Sequence, residues 1–267
     1  MPECFVNKFV SLALLVGLLC GCRSTRTAQQ PTGPHIRVLT YNVNWGEPRP
    51  DLAAKIIQRS GADIVCLQET TPQWEQYLRQ ALGQDYPFAE FRLSKMRMGG
   101  GLAFLTKVPA REVAYLPSQT GWFDGWIMKF ETAIGPVQVL NVHLHPPVSD
   151  KGSVVSGYFT TRGDRLQEME RFFGAREPQM PTLVMGDFND IESSRVVQWL
   201  ESRGMTNALP QFDRYSPTWE WKTSVVTLKR RMDHILYSRE LDCSAAWVTA
   251  AGASDHLPVE AMITKAK

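Results

Sequence analysis

The sequence predicts one α/β domain, and three observations lead there. Short β-rich runs alternate with amphipathic helical segments from His35 to the C-terminus. Hydrophobic residues make up 43% and charged residues 21% of the 267, with 19 Gly and 17 Pro scattered along the chain. That composition builds a core and excludes disordered, collagen-like and coiled-coil chains. No internal repeat, low-complexity tract or second linker divides the chain. A net charge of +2 excludes a chain-wide field for nucleic acid, though not a local basic cleft. Five cysteines form no disulfide framework.

Residues 1–21 read as a secretory leader. Lys8 precedes a nearly unbroken 12-residue apolar run, 9–20, short of the roughly 20 residues that span a bilayer. The run ends in Leu19-Cys20-Gly21-Cys22, which resembles the lipobox of bacterial lipoproteins. Acylation of Cys22 would anchor the chain at the cell envelope, at about 0.8 kcal/mol per buried methylene; the alternative is an ordinary signal peptide with an incidental cysteine. Residues 22–34 are polar and aperiodic, as in a flexible tether, which leaves 35–267 as the domain. Of the remaining thiols, Cys66 sits in an apolar run, and a Cys66–Cys243 bridge stays open.

Within the domain, 36–42 is β-rich, and 51–59 is helical with Leu52, Ile56 and Arg59 on one side and Gly61 as its stop. Residues 63–67 form a strand. Thr71-Pro72 then starts a helix that carries Trp74, Tyr77, Leu78 and Leu82 and ends at Gly83. Strands are expected over 101–106, 127–130, 137–144, 182–185, 232–237, 245–249 and 259–263, and helices over 161–173 and 194–200.

Six of the apolar runs carry polar side chains where burial favours apolar ones. They are Thr40-Tyr41-Asn42, Leu67-Gln68-Glu69, Asn141-Val142-His143-Leu144-His145, Gly186-Asp187-Phe188-Asn189-Asp190, Arg231-Met232-Asp233-His234 and Ser254-Asp255-His256-Leu257-Pro258. A carboxylate drawn into an interior needs a cation or several donors. If the strand ends converge, the common partner is a divalent cation, and oxygen donors favour Mg²⁺, with Mn²⁺ or Ca²⁺ as alternatives. Taken singly each has a plain explanation: Asn42 as a turn former, Glu69 as a helix-start charge, His143 and His145 as a surface or zinc pair, Asp187 as a capped turn. Their joint order is harder to explain that way.

Those segments resemble the endonuclease/exonuclease/phosphatase family, the DNase I-like fold, over 36–263. The resemblance implies a four-layer α/β sandwich, two mixed β-sheets packed face to face and flanked by helices, with the site at one end of the sheets. It implies Glu69 as principal metal ligand with Asn42 and Asp255 near the same ion. Asp187 and Asn189 would position or activate water, and His256 would act as acid/base oriented by Asp233. His143 would face the phosphate, and His145 matches no family position. His234 stands where an aromatic is common.

The expected activity is metal-dependent phosphodiester hydrolysis by a monomer, nuclease-like, with a sphingomyelinase-like or phosphoinositide-directed lipid hydrolase as alternative and a non-catalytic binding protein as a third reading. Substrate contacts are expected from Arg231, Trp219 and Trp45. Arg92, Lys95 and Arg97, and Lys229 to Arg231, are cleft candidates or solvated loop charges. The aromatic stretches Trp122 to Trp126 and Trp219 to Trp221 are base-stacking, lipid-facing or core-edge.

Overall fold

Side chains alternate along β1 (His35–Asn42), so Ile36, Val38, Thr40 and Asn42 share one face while Leu39 and Tyr41 take the other. The same division runs through two six-stranded sheets in a computed structural model that describes residues 25–94, 99–148, 157, 160–222 and 226–267. The expected leader, Cys22, Lys95 and Arg97 lie outside the described residues.

The first sheet joins β1 to β2 (Ile64–Thr70), β3 (Phe88–Arg92), β4 (Gly101–Thr106), β13 (Leu241–Val248) and β14 (Val259–Lys265), in the order β13-β14-β1-β2-β4-β3. The second contains β5 (Ala110–Leu116), β6 (Gly125–Thr132), β7 (Gly135–His143), β8 (Thr182–Asp187), β9 (Met205–Asn207) and β12 (Asp233–Ser238), ordered β5-β6-β7-β8-β12-β9. Each sheet is mixed. β1 pairs parallel with β2 through helix α1 (Pro50–Ser60), and β7 pairs parallel with β8 through a crossover that includes α3 (Arg162–Gly174). A two-stranded ribbon, β10 (Trp219–Lys222) and β11 (Thr227–Arg230), stands apart.

Between the sheets Val38, Ile64, Cys66 and Phe104 meet Trp126, Met128, Val139, Met185 and Ile235. On the outer side of the first sheet, α1 and α2 (Pro72–Leu82) press Ala53, Ile57, Trp74 and Leu78 onto Leu39, Tyr41, Val65 and Leu67. On the second, α3 and α4 (Arg195–Ser202) press Met169, Phe172, Val197 and Leu200 onto Leu140, Val142 and Val184. This is the four-layer arrangement that the family resemblance implies.

Several details differ from the sequence reading. The buried face of α1 is Ala53, Ala54, Ile57 and Ser60, while Leu52 and Ile56 are half-buried and Arg59 is exposed; the small alanines let the helix lie close to the sheet. The strands β3 and β5 went unread because both are sheet edges, and charged residues such as Glu90, Arg111 and Glu112 break their apolar patterns. Cys66 and Cys243 are both buried free thiols.

Residues 25–34, expected as a tether, are held against the domain. The Arg26 amide donates to the Gln211 carbonyl at 2.6 Å and the Gln29 amide to that of Ser244 at 3.0 Å. The Arg26 guanidinium pairs with Asp242 at 3.1 Å and lies over the Phe212 ring. Carboxylate and aromatic face together hold what composition alone leaves free.

The start of α2 agrees with its sequence signal. Pro72 opens the helix and the Thr71 hydroxyl accepts from the Trp74 amide at 3.4 Å. Thr71→Ala is expected to lower stability by about 1 kcal/mol in urea unfolding.

Candidate active site

The inner faces change character along the strands. At one end they are apolar, midway they carry Thr40, Gln68 and Asn141, and at the far end Asn42, His143, Asp187 and Asp233. The middle layer is an amide rivet across the core. Gln68 Nε2 donates to Asn141 Oδ1 at 2.8 Å and to Thr40 Oγ1 at 3.1 Å, while Asn141 Nδ2 reaches the carbonyls of Leu67 and Ala103. Every amide atom there has a partner, which makes its burial tolerable.

Strict alternation would turn Glu69 away from this face. A register shift between Gln68 and Thr70, with Glu69 at φ 63°, re-aims it. Of the four non-glycine residues with left-handed φ among the described residues, Asn44, Glu69 and Asn189 all border this end, the clustering expected where backbone strain serves a site. Glu69 Oε1 accepts from Asn42 Nδ2 at 3.1 Å and Oε2 from the Trp45 amide at 3.1 Å. Burial still holds its carboxyl above the ordinary carboxylate range, against those hydrogen bonds.

The Asn42 Nδ2 that meets Glu69 also donates to Asp187 Oδ2 at 3.0 Å, and Asp187 Oδ1 accepts from the Asn189 amide at 2.8 Å. Burial raises Asp187 to about 7 in spite of the neighbouring His256 cation, and Asp233 adds to the rise. Strand register sets His143 and Asp233 opposite Asp187 on its two flanks. His143 Nε2 lies 3.4 Å from Asp187 Oδ2 and 4.0 Å from Glu69 Oε1, with its ring stacked on Phe123 at 3.5 Å. Burial, helped by His256, keeps His143 well below the usual imidazole value, hence neutral.

His256 Nδ1 donates to Asp233 at 2.9 Å and its Nε2 stands 3.6 Å from Asp187 Oδ2. Burial opposes its protonation, yet Asp233 and Asp187 push it up to about 10. Asp255 accepts from Asn44 Nδ2 at 2.8 Å and Trp219 Nε1 at 3.0 Å. The Ser254 hydroxyl donates to the Asn42 carbonyl and accepts from the His256 amide, tying this loop to β1. Asn189 Nδ2 donates to the Leu144 carbonyl at 2.9 Å. One end of the sandwich thus gathers Asn42, Glu69, His143, Asp187, Asn189, Asp233, Asp255 and His256.

Other expected residues fall differently. Trp45 is 43% exposed on the Glu69 side, and Trp219 bridges to His256 by backbone. Arg231, expected to contact substrate, is 9% exposed and is a strut: its guanidinium holds Glu192, Asp213 at 2.8 Å and the Ser216 carbonyl at 2.7 Å. Arg92 pairs with Glu112 and Lys229 with Glu220. His234 is a satisfied core residue, between Asn207 and the Asp190 carbonyl. In the first aromatic stretch Trp126 is buried and Phe123 backs His143, whereas Trp221 is 43% exposed.

Sequence reasoning missed the supports. Thr218 Oγ1 accepts from the amides of Met232 and Asp233. On α3, Arg165 reaches Asp190, Thr161 and the His145 carbonyl, and Glu168 accepts from the His145 amide and Thr120. An Arg-x-x-Glu pair in an apolar-faced helix was the available signal for the last two.

One donor set among the described residues is close enough to hold a cation. Ligand atoms of Asp187, Asp233 and His256 lie within 4.8 Å of one another. Glu69 and Asp255 are further carboxylates at the same end, and burial raises the Glu69 carboxyl, a cost that a bound cation would offset. Asn42 presents Nδ2, not Oδ1, to the carboxylates, so serving as a ligand requires its amide to turn over.

Residues 39–256 match the Endonuclease/Exonuclease/phosphatase family. The chain belongs to that family. Members of the endonuclease/exonuclease/phosphatase family are phosphoester hydrolases that generally use divalent metals. The inositol phosphosphingolipids phospholipase C of Saccharomyces cerevisiae is 28% identical over 144 residues, 48% of this chain and 29% of that protein, so under a third of its length is represented. An endonuclease/exonuclease/phosphatase from Beutenbergia cavernae superposes with a TM-score of 0.67 at 20% identity, covering 87% of this chain and 72% of that one. An AP endonuclease from Archaeoglobus fulgidus gives 0.65 at 18%, covering 85% and 98%. At these identities the structural likenesses speak for the family's fold.

Proposed function

We propose that this chain is a divalent-metal-dependent phosphodiester hydrolase of nuclease type, exported and held at the bacterial cell envelope through Cys22. The observation that carries the reading is the Asp233–His256–Asp187 line, with Nδ1 of the imidazole on one carboxylate at 2.9 Å and Nε2 facing the other at 3.6 Å. Asp233 fixes the tautomer and sustains the charge of His256, which then donates from Nε2 to the scissile phosphate. Asp187, buried and avid for a proton, takes one from the attacking water, and the second Nδ2 hydrogen of Asn189, whose first is on the Leu144 carbonyl, steadies a phosphate oxygen. Neutral His143, flat on Phe123, offers Nε2 to the same phosphate without repelling His256. Mg²⁺ held by Glu69 with Asn42 and Asp255 would neutralise a nonbridging oxygen and the leaving oxygen when bound. Trp45 and Trp219 flank the site where a base could stack.

A second reading, a phospholipid headgroup as substrate, is favoured by the similarity to the yeast phospholipase C. Purified protein is to be assayed with Mg²⁺ on plasmid DNA, sphingomyelin and bis-nitrophenyl phosphate. Cleavage of DNA and of bis-nitrophenyl phosphate, abolished by EDTA and restored by Mg²⁺, is the expected result. Phosphocholine release with intact DNA would select the lipid reading, and inactivity on all three would overturn both.

A further inference from the structure

The strands run away from the candidate catalytic residues towards a second chemically distinctive end. β12 starts at Asp233 and finishes at Ser238, about 17 Å on at 3.4 Å per residue. β8 reaches Asp187 from Thr182 at that same remote end. There a recess of about 370 Å³ is lined by Phe173, Arg176, Met180, Arg203, Met205 and Arg239. Arg176 lies 3.8 Å over the Phe173 ring and Arg203 4.8 Å over Trp199. Among the described residues neither has a carboxylate within ion-pair distance, whereas Arg239 pairs with Glu240. Burial and the charge of Arg203 both lower Arg176 from its usual value, so the pair is two like charges in want of an anion.

The N-terminal segment leaves from the same end. Arg26 is docked on Asp242 and Gln211, beside the β12–β13 turn that lines the recess. Upstream lies the 12-residue apolar run 9–20, followed by Cys22. Arg26 lies four residue steps beyond Cys22, which can span at most about 14 Å. An anchor at Cys22, as proposed above, would attach the domain on the side opposite the candidate catalytic residues.

We infer that the end of the sandwich carrying Arg176, Arg203 and Arg239 is a membrane-docking face for anionic phospholipid. The guanidinium groups take headgroup phosphates and half-buried Met180 meets the glycerol region, over a floor of buried Phe173 and Met205. The catalytic end then faces the aqueous phase, beyond reach of lipids in the membrane that holds the protein. This orientation rests on the proposed reading for which end is catalytic and for the anchor at Cys22. It favours substrates that arrive from solution.

The test is sedimentation of the full chain with phosphatidylglycerol vesicles and with phosphatidylcholine vesicles. The parent is compared with an Arg176→Ala/Arg203→Ala variant and a Lys229→Ala/Arg230→Ala variant on the opposite end. At about 1 kcal/mol for each basic residue near an anionic surface, the first variant loses on the order of thirtyfold in phosphatidylglycerol affinity. Its phosphatidylcholine binding and its hydrolysis of bis-nitrophenyl phosphate stay unchanged, and the second variant keeps the lipid preference. Equal binding of the parent to both vesicles, or loss of preference only in the Lys229/Arg230 variant, would overturn the inference. Failure of parent and variant alike to hydrolyse bis-nitrophenyl phosphate would count against the hydrolase reading and leave the vesicle result standing.

Discussion

Replacing Glu69 with alanine is expected to lower turnover of bis-nitrophenyl phosphate at least about a hundredfold, and His256→Ala to do the same. The two losses have different origins. Without Glu69 the site loses the carboxylate that Asn42 and the Trp45 amide orient, so weakened metal binding should accompany the slower rate. Without His256 the metal should still bind, but Asp233 is left buried opposite an empty space and the phosphate loses its cationic donor. Titration calorimetry with Mg²⁺ beside steady-state kinetics separates these cases. Thermal melting guards against a trivial cause: removing a buried carboxyl should leave the midpoint unchanged or higher. Near-parental rates in either purified variant would remove the catalytic assignment.

Arg165→Met is expected to cost 3–5 kcal/mol of stability, on the scale of breaking one side of a buried ion pair (about 3–5 kcal/mol). Arg165 is fully buried, with Nε 3.0 Å from Asp190 Oδ2 and Nη1 2.7 Å from Thr161 Oγ1. The methionine fills much of the volume but leaves Asp190 charged in an apolar setting. Arg165→Met/Asp190→Asn should regain most of the loss, because the stranded charge and not the missing attraction is the larger effect. Urea unfolding of both variants decides it; a single-variant loss below about 1 kcal/mol would show the pair to be dispensable. Activity should fall too, since Arg165 also holds the His145 carbonyl, two residues beyond His143.

Central strands and their polar ends were legible because buried strands write long apolar runs, and a polar residue in one stands out. Asn42, Asp187 and Asp233 could be picked out on that ground, and the structure sets Asp187 and Asp233 on neighbouring strands of one sheet with Asn42 on the other. Edge strands such as β5 were not legible, since solvent on one flank admits Arg111 and Glu112. Nor could a linear string show that Glu69 needs a bulge to face inward, or that Arg231 is committed to Glu192 and Asp213. Charge type survives in sequence, whereas pairing is a property of three dimensions. The supports Thr218, Arg165 and Glu168 act through backbone amides and carbonyls, which leave no pattern in side-chain identity.

The Gln68–Asn141 contact joins the two halves of the site across otherwise featureless apolar packing, where one layer could slide on the other at small cost. It works as a detent. Gln68→Leu with Asn141→Leu removes both amides but takes partners from Thr40 Oγ1 and the Leu67 and Ala103 carbonyls, at about 1–3 kcal/mol for each group left unsatisfied, and it would let Glu69 and Asn42 drift relative to His143 and Asp187. Such a protein should stay folded at a lower melting temperature and turn over slowly, with activity fading on warming before any spectroscopic sign of unfolding.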